Sequence, residues 1–188
     1  MEAFLVSTLV VALAEIGDRT QLLAIVLVSR FHKPWPIIAG ILAATLANHT
    51  LAATAGFFVS DWLKGLWFQY VLAASFFATA IWTLIPDKED EVSAPAGHLS
   101  VFLTTAVTFF VVEMGDKTQI AAIALAAKFH NISLVTAGST LGMMLANVPA
   151  VFLGRAATKV VPLKWVRFGA ATIFVGLGIW TMVAALAT

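Results

Sequence analysis

Apolar residues gather into six long stretches, near residues 4–29, 36–59, 66–85, 100–127, 133–154 and 165–187, with polar residues collected between them. Each stretch approaches or exceeds the roughly 20 residues that a helix needs to cross a bilayer. The chain therefore reads as an all-α integral membrane protein of six transmembrane helices. The first stretch lacks the basic leader of a cleavable signal and is expected to stay as the first helix. Turn and charge signals mark the gaps, among them Arg30-Phe31-His32-Lys33-Pro34 and Ser60-Asp61-Trp62-Leu63-Lys64-Gly65. The acidic segment from Pro86 to His98, with Asp87, Glu89, Asp90 and Glu91, is expected to be a solvated linker. It divides a first three-helix unit (1–85) from a second (100–188), with 86–99 between them.

The two units repeat one another. At a constant offset of 98 residues, Arg30-Phe31-His32 matches Lys128-Phe129-His130, Ala39-Gly40 matches Ala137-Gly138, and Ile81-Trp82-Thr83 matches Ile179-Trp180-Thr181. Ala47-Asn48 matches Ala146-Asn147 after a slip of one residue. Three spans per unit force the second to enter the membrane from the opposite side. That is an inverted repeat, an architecture of secondary transporters whose substrate site lies between the repeats. Loop cations set the expected orientation. Arg30, Lys33, Lys88, Arg155, Lys159, Lys164 and Arg167 share one side, whereas Lys64 and Lys128 hold the other. The richer side is expected in the cytoplasm, with both termini outside. Trp35, Trp62, Trp67 and Trp165 fall where interfacial anchors belong, while Trp82 and Trp180 suit either packing or the interface.

Composition narrows the function. Hydrophobic residues make up 61% of the chain and charged residues 11%, against about 25% charged in soluble domains. A net charge of +1 offers no basic face for nucleic acid. The absence of cysteine removes disulfides, iron–sulfur clusters and thiolate metal sites. No resident cofactor is expected.

The chemistry lies in a tetrad that occurs twice inside apolar stretches. Its copies are Glu15-Ile16-Gly17-Asp18-Arg19-Thr20-Gln21 and Glu113-Met114-Gly115-Asp116-Lys117-Thr118-Gln119. Ionisable groups at bilayer depth are costly and mark ion or proton pathways. Read as continuous helices, the spacing of three predicts one polar stripe of Glu15, Asp18 and Gln21, and a second of Glu113, Asp116 and Gln119. Where the stripes converge, four carboxylates and two amides form an oxygen-only site suited to calcium, magnesium or manganese. Gly17 and Gly115 permit either close helix approach or a local break, whereas the spacing of Gly138 and Gly142 suits helix packing. Arg19 and Lys117 fit structural ion pairs or charge balance. Four carboxylates and two cations sum to −2, which one divalent metal or two protons would neutralise. Asn48 and Asn147 fit interhelical bonding or cation ligation equally, and Thr20 and Thr118 fit ligation or a bond to the preceding turn. His49 has no repeat partner, since Val148 stands there, and is expected to pack. His32 and His130 are expected at the water boundary.

At these motifs the chain resembles the small cation–proton exchangers that carry a duplicated E-x-G-D-[KR]-[ST] signature. That family includes Golgi calcium/manganese transporters and bacterial manganese exporters of the MneA type. The resemblance covers essentially the whole chain, and both signatures are intact. It implies that Glu15, Asp18, Glu113 and Asp116 bind the transported cation. It also implies export of Mn²⁺, with Ca²⁺ as the alternative, across a bacterial inner membrane against protons. The implied partners are the metal ion, protons and the lipid bilayer, and no enzymatic activity is expected. Two other readings remain open. An aspartyl intramembrane protease also pairs two membrane aspartates, but Glu precedes each tetrad and no Pro-Ala-Leu triplet is present. A proton-coupled exporter of organic cations would need fewer acids and an aromatic cavity.

Overall fold

A computed structural model describes residues 1–62, 65–85, 100–153 and 163–186. Lys64, the acidic linker 86–99, Arg155 and Lys159 lie outside the described residues. Among the described residues the chain is helical throughout, with α1 (Glu2–Glu15), α2 (Arg19–Phe31), α3 (Pro34–Trp62), α4 (Leu66–Leu84), α5 (Val101–Glu113), α6 (Lys117–Phe129), α7 (Ile132–Leu153) and α8 (Leu163–Leu186). Of these, α3, α4, α7 and nearly all of α8 are long and apolar enough to cross a membrane.

The stretches expected as single spans at 4–29 and 100–127 are each two helices. Glycine is the cause. Gly17 (φ 80°) and Gly115 (φ 79°) adopt left-handed backbone, which other L-residues enter only at a steric cost. Each helix stops at the glutamate, and the next starts at the residue after the aspartate. The shorter helices also end alike. His32 and His130 take left-handed conformations and donate their N–H to Val28 O and Ala126 O, both at 2.9 Å.

The halves interlock. Helix α1 lies along α7, α5 lies along α3, and α4 pairs with α8. Glycine again allows the approach. A methyl group at Gly138 would strike the Phe4 carbonyl, and one at Gly40 would lie 2.8 Å from the Phe102 carbonyl. These glycines are repeat mates, so the start of α1 docks near the start of α7, as the start of α5 docks near the start of α3. Helices α3 and α7 are antiparallel. The ring of Trp35 meets that of Phe152 at 5.7 Å at one end, and His130 meets Asp61 at 3.1 Å at the other. Helices α1 and α5 consequently begin at opposite ends of the bundle.

The outer surface is apolar. Leu66, Trp67, Val71 and Ile81 on α4 are exposed, as are Leu42, Leu46 and Leu51 on α3. In water such faces would be unfavourable; against lipid they cost nothing. Trp35, Trp62, Trp67 and Trp165 are exposed near helix ends, as interfacial anchoring requires. Trp180 packs on Phe129 and carries the Lys128 ammonium 4.0 Å over its ring. His130 is exposed yet engaged, bonded to Asp61 and stacked on Phe57.

Candidate cation site

Both motifs fold into one local structure. After the glutamate, Ile16 (φ −63°, ψ 119°) and Met114 (φ −65°, ψ 119°) are extended. The left-handed glycine follows, and Asp18 and Asp116 then cap α2 and α6, their carboxylates accepting from the Thr20 and Thr118 N–H. An aspartate is favoured at this position because its side chain satisfies an N–H that has no partner within the helix. The continuous polar stripe expected from helical spacing is thus not formed. A broken turn, rather than one helix face, brings each glutamate and aspartate together.

The glutamines brace that turn. Gln21 accepts from the Gly17 N–H at 3.0 Å and donates to the Ala146 carbonyl at 3.0 Å. Gln119 accepts from the Gly115 N–H at 2.6 Å. As placed, both amide oxygens serve the backbone.

The four acids are buried together, none more than 2% exposed. One carboxylate oxygen each from Glu15, Glu113 and Asp116 lie within 4.8 Å of one another, so a single ion fits between the two motifs. The basic residues are exchanged between motifs. Arg19 Nη2 donates to Asp116 Oδ1 at 3.2 Å and to the Val112 carbonyl at 2.9 Å. Lys117 Nζ pairs with Asp18 Oδ1. Each aspartate is therefore neutralised by the opposite half of the chain.

The glutamates differ. Thr20 donates its hydroxyl to Glu15 Oε1, and Thr118 lies 3.4 Å from both Glu113 Oε2 and Asp116 Oδ2. The second oxygens, Glu15 Oε2 and Glu113 Oε1, are buried without a partner. Arg19 and Lys117 pair with the aspartates, and the site holds four carboxylates against these two cations. With two neutral Asp–base pairs, fully ionised glutamates leave −2 at the site. An uncompensated charge of that size is not tolerable in a low-dielectric interior. It demands a divalent cation or protons.

Asn48 and Asn147 are both buried with their amide nitrogens tied. Asn48 Nδ2 donates to the Phe110 carbonyl at 3.0 Å, one turn before Glu113. Asn147 Nδ2 donates to the Met143 carbonyl at 3.2 Å. Their oxygens, Asn48 Oδ1 and Asn147 Oδ1, have no partner. The Asn48 bond joins α3 to α5, whereas the Asn147 bond stays within α7. His49 is buried with Nδ1 unpartnered.

Two features escaped the sequence reading. The break was encoded, since Gly-Asp-x-Thr joins a helix-stop residue to an N-cap, but the apolar run around it masked the signal. The exchange of Arg19 and Lys117 had no signal at all, because the partners lie 97 and 99 residues apart.

A family model described as "Divalent cation/proton antiporter GDT1" matches residues 3–91 and 101–188. A Vibrio cholerae protein named "Putative manganese exporter" is 45% identical over 182 residues, covering 96% of this chain and 90% of its own length. A GDT1-like protein of Synechocystis is 30% identical over 177 residues, with 82% and 84% covered. GDT1-like protein 5 of Arabidopsis thaliana is 23% identical over 220 residues, with 97% and 96% covered. The comparison with solved structures finds no match.

Proposed function

Since this chain belongs to the GDT1 family of divalent cation/proton antiporters, we propose that it exports Mn²⁺ from the bacterial cytoplasm in exchange for protons, with Ca²⁺ as the competing cargo. The observation that carries this reading is the burial of four carboxylates together with only two basic residues paired to them, which leaves two negative charges in excess. One divalent cation, or two protons, makes the site neutral. Either neutral form can be shielded from water, whereas the empty, fully ionised form cannot. Exchange is thereby favoured over leak.

Glu15, Glu113, Asp18 and Asp116 supply the charged oxygens in this reading, and Asn48 and Asn147 supply neutral ones. Thr20 and Thr118 hold the glutamates in place and stand close enough to contribute hydroxyls. Arg19 and Lys117 keep the charge count at two. An all-oxygen set suits Mn²⁺ and Ca²⁺ alike. The manganese preference takes its support from the name of the Vibrio cholerae relative.

Six membrane crossings in two inverted halves fit the opposed starts of α1 and α5. In that arrangement each broken pair, α1–α2 and α5–α6, counts as one crossing interrupted at its motif. The loop cations favour periplasmic termini in an inner membrane. The protease alternative fails because the chain belongs to a transporter family; in addition, each aspartate caps a helix and holds a basic partner instead of sharing a proton with the other.

Purified protein in liposomes with an imposed pH gradient tests the reading. Proton-driven Mn²⁺ flux, lost in both Glu15→Gln and Glu113→Gln, is the expected result. Equal Ca²⁺ flux would keep the antiporter and remove the manganese preference. Absence of metal flux in correctly inserted protein would overturn the proposal.

A further inference from the structure

A second group of buried polar atoms, between α3 and α7, is not explained by the carboxylates. Thr45 and His49 lie one turn apart on α3, and Thr136 and Thr140 lie one turn apart on α7. The Thr136 hydroxyl is 3.5 Å from the His49 carbonyl, which sets the register of the two helices. Because the helices are antiparallel, four residues back from His49 and four forward from Thr136 reach the same depth on facing sides, about 6 Å away. Thr45 and Thr140 therefore oppose one another across the crossing.

All four residues are at most 7% exposed. Threonines in these helices commonly return their hydroxyl to the carbonyl one turn earlier, as Thr79, Thr83, Thr105 and Thr181 do at 2.8 Å. Thr45 and Thr140 do not, and their Oγ1 atoms have no partner; nor does His49 Nδ1. Buried polar atoms without partners are rare because each unmade bond is destabilising. Three at one helix crossing require a common explanation. The group holds no carboxylate, so it is not built for a metal. Two hydroxyls and an imidazole nitrogen, each able to donate or accept, match the bonding pattern of water.

The crossing adjoins the cation site. Asn48 follows Thr45 by three residues and directly precedes His49. Its amide bonds to Phe110 O at 3.0 Å, one turn before Glu113, and its oxygen is unpartnered.

We propose that Thr45, His49 and Thr140 bind a short chain of water molecules that leads protons to the carboxylate cluster by a route distinct from the cation's. Each hop forms one O–H bond as the next breaks, so no co-reactant is needed, and His49 contributes hydrogen bonds without changing its own charge. The proton role rests on the antiporter reading; the hydration does not.

Two readouts on full-length protein in lipid test this. X-ray hydroxyl-radical footprinting labels buried side chains that touch bound water, and His49 is expected to be labelled despite its burial. The Thr45→Val/Thr140→Val double variant is isosteric, and is expected to lose that label. It is also expected to slow proton-driven Mn²⁺ exchange at least about tenfold, while Mn²⁺ binding by calorimetry stays within about twofold. An unlabelled wild-type His49, or a double variant that melts higher and exchanges at the wild-type rate, would show a dry crossing and overturn the proposal. Lost Mn²⁺ binding in the double variant would also overturn it, by placing these residues in the cation site. Failure of the antiporter reading is separate, and would appear as absent exchange in the wild type.

Discussion

The two motifs share a backbone and differ in surroundings. Ile16-Gly17 and Met114-Gly115 take nearly the same angles, yet Met114 is 57% exposed while Ile16 is only partly so. The basic residues diverge in the other direction: the Lys117 side chain is 5% exposed and that of Arg19 is 39%. Gln21 reaches across to Ala146 on α7, which ties the first break to the opposite half. Local sequence therefore sets the form of the site, and packing sets how deeply each part of each copy is buried.

The comparison can be broken most severely at the glutamates. Glu15→Gln and Glu113→Gln are each expected to reduce proton-driven Mn²⁺ flux by about 10²-fold or more, as loss of a group that must carry charge does. The expectation is equal loss for both, by initial rates in liposomes. Retained flux in either variant would show that the halves do not contribute alike.

The basic residues sharpen the inequality. Lys117→Met removes the basic side chain paired with the buried Asp18, a change that costs about 3–5 kcal/mol. Arg19→Met removes the partner of an equally buried aspartate, but Arg19 is 39% exposed, so water can reach its place and the cost is expected to be smaller than for Lys117. Thermal unfolding in detergent should show the larger loss for Lys117. Equal losses would mean that the difference in burial has no energetic weight.

Next come the glycines. Gly115→Ala meets no atom within 4 Å, so its cost is the left-handed backbone alone, about 1–2 kcal/mol. Gly17→Ala carries the same backbone strain, and melting should show it destabilised by at least as much. The smallest effect is expected at the Asp61–His130 pair, whose side chains are 43% and 49% exposed. Asp61→Asn should change stability by less than about 1 kcal/mol at neutral pH.

Much of this was legible beforehand. The apolar stretches located the described helices, though two stretches hold two helices each, because burial in lipid requires long hydrophobic runs. The offset of 98 residues identified the repeat and both motifs. The helix count at the motifs was misread for a physical reason. Hydropathy averages over a window, and one left-handed glycine does not change the average although it ends a helix. The roles of Gln21 and Gln119 depended on that break, since an N–H released from the helix needs the acceptor they provide.

By itself, the sequence determined the class of protein, the duplication, the buried acids and the capping residues that position them, all of which follow from local preference and hydropathy. Only the tertiary structure decided that Arg19 answers Asp116 and Lys117 answers Asp18, that one oxygen each of Glu15 and Glu113 is buried without a partner, and that Thr136 meets the His49 carbonyl. Those pairings arise from the docking of α1 on α7 and of α5 on α3. Nothing in a one-dimensional pattern states which of several buried charges, nearly a hundred residues apart, will meet.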